Sequence, residues 1–160
     1  MDFYYTFIIP NMSSIGRGRK GFVMDEIKTG FNEYIGRYWK HLCREAISGN
    51  RVYRHRWREA SRWWVTAMTD DGPRSMEFDV VAESSDGSAI LVGECKWTNP
   101  EVATKLHRKL LNKISYFPYT NGKKVVPMLF LKHEPKDMAS SSDLLICYPQ
   151  NVIKMAYGEE

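Results

Sequence analysis

The chain has 160 residues, 43% of them hydrophobic and 26% charged, with a net charge of +4: the length and balance of one folded domain with enough apolar side chains for a core. This excludes a disulfide-stapled miniprotein and a wholly disordered tail. No run approaches the roughly 20 consecutive apolar residues of a membrane span, and Asp2-Phe3-Tyr4-Tyr5 lacks the basic start of a secretory signal. Cys43, Cys95 and Cys147 are odd in number and far apart, without metal-ligand spacing. Neither a disulfide framework nor a zinc module is expected, and a reducing cytoplasm is the expected location. The charge is unevenly placed: residues 1–60 carry 11 Lys/Arg against 6 Asp/Glu, residues 61–100 carry 3 against 7, and residues 101–160 carry 9 against 6. An acidic middle between basic flanks suits a polyanion gripped at the flanks with a metal ion at the centre.

In chain order, Ser13-Ser14-Ile15-Gly16-Arg17-Gly18-Arg19-Lys20-Gly21 has the composition of a loop and separates an opening segment, residues 1–21, from a body, residues 22–160. From Phe22 to Ile47, Val23, Ile27, Phe31, Ile35, Trp39, Leu42 and Ala46 recur at steps of three and four, which predicts an amphipathic helix ended by Gly49-Asn50. The run from Arg51 to Trp64 alternates Arg with aromatics and is expected to be a strand. Thr69-Asp70-Asp71-Gly72-Pro73 and Ser84-Ser85-Asp86-Gly87-Ser88 are turns by composition, which makes residues 76–83 and 89–97 the arms of a hairpin. Asn99-Pro100 opens a second helix reaching about Ser115, buried through Leu106, Leu110, Leu111 and Ile114. The apolar runs 125–131 and 144–148 are expected to be strands covered on both faces, with a polar loop at 134–143 between them.

Within the hairpin, carboxylates and a lysine interrupt apolar strands, at Phe78-Asp79-Val80-Val81 and at Gly93-Glu94-Cys95-Lys96-Trp97. Side chains alternate along a strand, so Glu94 and Lys96 project together while Leu91, Gly93 and Cys95 face the other way, and Asp79 can join them across the pairing. Two carboxylates on adjacent strands offer the hard oxygen ligands that Mg²⁺ prefers. A neighbouring ammonium could position water or stabilise charge on a phosphate. The alternative is a solvent-facing salt-bridge cluster of little energy.

Arg62-Trp63-Trp64, Glu77-Phe78-Asp79-Val80-Val81-Ala82 and Gly93-Glu94-Cys95-Lys96-Trp97 together resemble the core of PD-(D/E)xK nuclease-like domains. More closely, the chain is similar to the C-terminal domain of uncharacterised function carried by archaeal-type AAA+ ATPases. Residues 2–11 resemble that family's stretch leading out of its winged-helix region, and Tyr34-Ile35-Gly36-Arg37-Tyr38-Trp39-Lys40-His41-Leu42-Cys43 its first core helix. The resemblance implies an α/β, restriction-endonuclease-like fold, a mixed central sheet flanked by helices. It implies Asp79, Glu94 and Lys96 as catalytic residues, with Asp79, Glu94 and Cys95 as the metal set for Mg²⁺ or Mn²⁺. It further implies that the chain is a fragment whose natural partner is its own missing N-terminal ATPase region. The sequence departs from the family at one place: where an acidic residue commonly follows the aromatic of the first helix, Lys40 follows Trp39. A cation there would repel a metal or pair with one of its ligands, so a catalytically inactive module that regulates the ATPase or binds protein or nucleic acid stands as the alternative to a Mg²⁺-dependent DNA or RNA phosphodiesterase. Glu33 and Glu45 sit poorly on the helix to replace the missing acid.

Arg54, Arg56, Arg58 and Arg62, interleaved with Tyr53, Trp57, Trp63 and Trp64, together with Lys105 and Lys109 of the second helix, are the candidate nucleic-acid contacts. Arginine stems packed over aromatics are the competing explanation. His41, His55, His107 and His133 have no mutual ligand or triad spacing, and Gly16-Arg17-Gly18 lacks the lysine-serine ending of a phosphate-binding loop, so no ATP site is expected within this chain. Residues 3–9, rich in Tyr, Phe and Ile, are a candidate self-association segment, and no membrane partner is expected.

Overall fold

A computed structural model describes residues 2–69, 72–98, 103–135 and 144–158. The chain divides into two compact units, Met1–Arg37 and Tyr38–Glu160. In the first, a π-helical turn (Tyr4–Ile8) and a 3-10 turn (Ile9–Asn11) lead into α1 (Met12–Gly16), and α2 (Lys20–Ile47) begins after a short break. Phe7 is buried there, its ring 5.3 Å from that of Tyr34, and Gly30 gives it room. The loop expected over 13–21 shrinks to the few residues around Gly18, whose φ is +71°. Once flanking turns are helical, each added residue costs little, and that cooperativity outweighs the poor propensity of Ser13, Ser14, Gly16 and Gly21.

In the second unit, the remainder of α2 ends at a turn where Gly49 takes φ +73°. The strand expected from Arg51 to Trp64 is replaced by a tiny hairpin, β1 (Arg51–Val52) and β2 (His55–Arg56), followed by extended chain. Trp57 explains the correction. Its side chain is fully buried and its indole N–H donates to the Val52 carbonyl at 2.9 Å, a bond that closes the hairpin and that a straight strand could not make.

The five-stranded sheet has the order β3 (Ser61–Thr69), β4 (Gly72–Glu83), β5 (Ala89–Lys96), β6 (Lys124–Leu131), β7 (Leu145–Cys147). The first three are antiparallel, as the turn chemistry predicts, and β5–β6 and β6–β7 are parallel. Helix α3 (Ala103–Ser115) lies between β5 and β6 in the chain, and α4 (Pro149–Tyr157) follows β7. The expected opening of α3 at Asn99-Pro100, the turn residues Asp70 and Asp71, and residues 136–143 of the polar loop lie outside the described residues.

Strand alternation gives the sheet two apolar faces. One carries Val80, Ala82, Leu91, Met128 and Phe130 under Trp39, Cys43, Ala46 and Ile47 of α2 and Val152 of α4. The other carries Phe78, Val81, Ile90, Val92 and Leu129 under Leu106, Leu110 and Ile114 of α3, whereas Leu111, expected in the same stripe, follows Leu110 directly, turns off the buried face and is 46% exposed. The expected mixed α/β architecture, helices on both faces of a central sheet, is therefore present. Among the described residues, no helix is long and apolar enough to cross a membrane.

Candidate functional site

Strand β4 pairs with β5 only from Glu83↔Ile90 to Val80↔Gly93. Before Val80 it pairs with β3 alone, and after Gly93 β5 pairs with β6 alone. The two strands thus fork, and a cleft of about 490 Å³ opens there, lined by Asp79, Glu94 and Lys96 together with Lys40, Glu77 and residues of α3.

Each side chain arrives by a different device. Glu94 and Lys96 face α3 through the alternation of β5. Asp79 is re-aimed by a bulge: Ser61 pairs with Val81 but Trp63 with Phe78, so Asp79 and Val80 together oppose Arg62. Gly93 keeps the strands close, because a Cβ there would stand 2.8 Å from the Phe130 ring and 3.1 Å from Val80 Cβ. Trp39, buried, donates its indole N–H to the Phe130 carbonyl at 3.3 Å and lies 5.0 Å from the Trp97 ring. That anchor sets the rotation of α2, and the next residue, Lys40, points into the cleft.

The Lys40 ammonium lies 2.6 Å from Asp79 Oδ1 and 3.5 Å from Glu77 Oε1. Asp79 Oδ2 accepts the Cys95 backbone N–H at 2.9 Å, and Arg44, one turn along α2, donates to the Asp79 carbonyl at 3.0 Å. The Asp79 side chain is only 4% exposed. Burial pulls the Lys40 pKa down, but the hydrogen bond and charge of Asp79, with Glu77 behind it, outweigh this and hold it above the ordinary lysine value. Burial likewise pushes Glu77 up, and Arg62 and Lys40 more than reverse it, leaving its carboxyl below the usual range. Glu94 is held from both sides, Oε1 by Lys96 at 3.1 Å and Oε2 by Lys113 at 2.6 Å.

A divalent ion needs carboxylate oxygens with lone pairs directed at it. All four oxygens of Asp79 and Glu94 already face an ammonium or an N–H. Among the described residues, no group of three His, Cys, Asp or Glu is placed to hold a metal. In this arrangement the residues do not fit Mg²⁺ or Mn²⁺. Cys95 gives the cleft its N–H rather than its sulfur. The thiol points to the opposite face beside Cys43, where burial, and then Cys43 itself, push its pKa well above the ordinary value.

The candidate nucleic-acid contacts are not gathered on one surface. Lys109 lines the cleft and Lys105 is exposed on α3. Arg62 is bound to Glu77 at 2.9 Å and lies over Trp64. Arg54 and Arg56 line a separate pocket at the β1–β2 hairpin, and Arg58 donates to the Ser85 carbonyl. Sequence reading missed Glu77, Arg44 and Lys113 as members of the site. Lys113 stands out only as one of four bases on α3, and nothing local ties it to Glu94 at a separation of 19 residues.

No solved structure matches the chain. The uncharacterized protein MJECL04 of Methanocaldococcus jannaschii is 26% identical over 140 residues, covering 84% of this chain and 30% of that protein, so the chain spans less than a third of the curated relative's length. The profile of a family described as archaeal and bacterial proteins of unknown function, DUF234, matches residues 4–114, a span that takes in α2, the β3–β5 meander and nearly all of α3. Both walls of the cleft lie inside that match, and the chain belongs to this family.

Proposed function

We propose that this domain is a PD-(D/E)xK-type, restriction-endonuclease-like module in which internal ion pairs replace the metal site, and that it binds a nucleic-acid backbone without cutting it. In the longer protein it would sit C-terminal to an AAA+ ATPase and regulate it. The observation that carries the reading is the Lys40 ammonium at 2.6 Å from Asp79 Oδ1, where the first-helix acid of an active site would stand. The lining of the cleft supports the choice of ligand: Lys40, Arg74, Lys96, Lys109 and Lys113 outnumber Glu77, Asp79 and Glu94, a balance that favours phosphate over a cation. The match to only part of a longer archaeal relative fits a domain that works within a larger chain.

The test is metal-dependent melting. Wild-type protein is expected to show no rise in Tm in millimolar Mn²⁺ or Mg²⁺ and no cleavage of DNA or RNA. Lys40→Glu is expected to gain a Mn²⁺-dependent rise that Glu94→Ala removes. A second reading, a Mg²⁺-dependent phosphodiesterase, is favoured by Asp79, Glu94 and Lys96 lining one cleft. A Mn²⁺-dependent rise in the wild type that is lost in Glu94→Ala, accompanied by strand cleavage, would replace the first reading with the second.

A further inference from the structure

At the opposite end of β5 from the cleft, the β1–β2 hairpin and the β4–β5 turn enclose a second pocket, of about 510 Å³, lined by Arg51, Arg54, His55, Arg56, Ser85 and Asp86. Three guanidinium groups and an imidazole share it with one carboxylate. One oxygen of that carboxylate is engaged in its own turn, Asp86 Oδ1 accepting the Ser84 hydroxyl at 2.6 Å and the Ser88 hydroxyl and N–H at 2.8 and 3.1 Å, and its charge also acts on His55. Among the described residues, no carboxylate pairs with Arg51, Arg54 or Arg56, and Arg56 spends only its Nε, on the Gly49 carbonyl at 3.2 Å.

The hairpin tip carries a second observation. Tyr53 and Arg54 both sit in the left-handed region, at φ +45° and +67°, where a two-residue hairpin turn ordinarily uses Asn-Gly. Strained backbone that holds functional side chains in place recurs at ligand sites. Here it displays Arg54 and the ring of Tyr53, which is 37% exposed and has the Lys124 ammonium 5.7 Å from its centroid.

Guanidinium forks match phosphate oxygens, and an exposed ring beside them offers a base a face to stack on. We infer that this pocket binds single-stranded nucleic acid, with Arg51, Arg54 and Arg56 on a phosphodiester and Tyr53 under a base. The site goes beyond the cleft reading and stands whether or not the cleft binds or cuts anything.

Fluorescence anisotropy of the full chain with a labelled oligothymidylate, over a range of salt concentrations, tests it. Arg51→Ala with Arg54→Ala removes two exposed side chains that hold nothing else, so the melting temperature should stay put. Affinity should fall at least tenfold, and the slope of log K on log salt should flatten by about 0.7, one phosphate's worth. Tyr53→Ala should weaken binding at least fivefold by loss of stacking. In a Lys96→Ala, Lys109→Ala background, which lowers the cleft's own share of the binding, the two arginine changes should still cost at least tenfold. Wild-type binding that is undiminished in the double arginine variant overturns the inference and leaves the cleft reading standing. So does binding lost to the arginine changes but indifferent to Tyr53 and displaced equally by polyglutamate, which would make the pocket a receptor for acidic polypeptide.

Discussion

Gly93 has no side chain, and the closeness of β5 to its neighbours at the fork depends on that. A methyl group there must displace the Phe130 ring and Val80 together, both fully buried. Gly93→Ala is therefore expected to lower unfolding free energy by about 1–3 kcal/mol, as overpacking does, measured by urea denaturation. At this scale much of the site is legible in the sequence. Charges on apolar strands single out Asp79, Glu94 and Lys96, and the pleat of β5 puts the last two on one face. What alternation does not reveal is how Asp79 arrives, because a bulge is set by the pairing of β3 with β4 and leaves no local mark. Lys40 is conspicuous in the sequence only against a family pattern. Its pairing with Asp79 depends on the burial of Trp39 against the sheet, which comes from tertiary packing.

Among the elements, the β1–β2 hairpin is the one the sequence misrepresents. Alternating arginines and aromatics from residue 51 onward imitate a strand, yet Trp57 gains more by burial with its N–H satisfied than by staying in line. The cost is two left-handed residues, roughly 1–2 kcal/mol each. Replacing Tyr53 and Arg54 with Asn and Gly is accordingly expected to stabilise the fold by about 1 kcal/mol or more in chemical denaturation, at the expense of whatever the tip displays. The adjoining turn makes a prediction in pH. Folding lowers the Asp86 pKa from 3.8 to about 2, first through the Ser84 hydroxyl and then through Ser88. As pH falls, the unfolded chain takes up this proton before the folded one. The contribution is complete above pH 4 or so and is lost as pH falls through about 2. In acid titrations followed by thermal melting, Asp86→Asn should fall less steeply across that interval than the wild type.

Over the whole molecule, the layering follows from patterns that need no partner to be read. The apolar stripe of α3, the alternation of β4 and β5 and the continuous apolar run of β6 each state which faces are covered, and the sheet is covered on both. The helical turns before α2 are not legible, because their serines and glycines carry the composition of a loop while their helicity comes from their neighbours. Every residue of both core clusters lies in the unit Tyr38–Glu160. A polypeptide limited to that unit is expected to retain a single cooperative thermal transition by circular dichroism, and a broad, non-cooperative melt would contradict the division.

Where the β4–β5 ladder gives out, the Cys95 N–H is taken up by a side chain, that of Asp79, in place of a backbone carbonyl. The aspartate thus acts as a rivet between two strands as well as a member of a cavity wall. Genetic intolerance at this position, or an inert alanine variant, would reflect its mechanical role before it said anything about chemistry. Asparagine, which keeps an acceptor for that N–H while discarding the charge, is the substitution that separates the two.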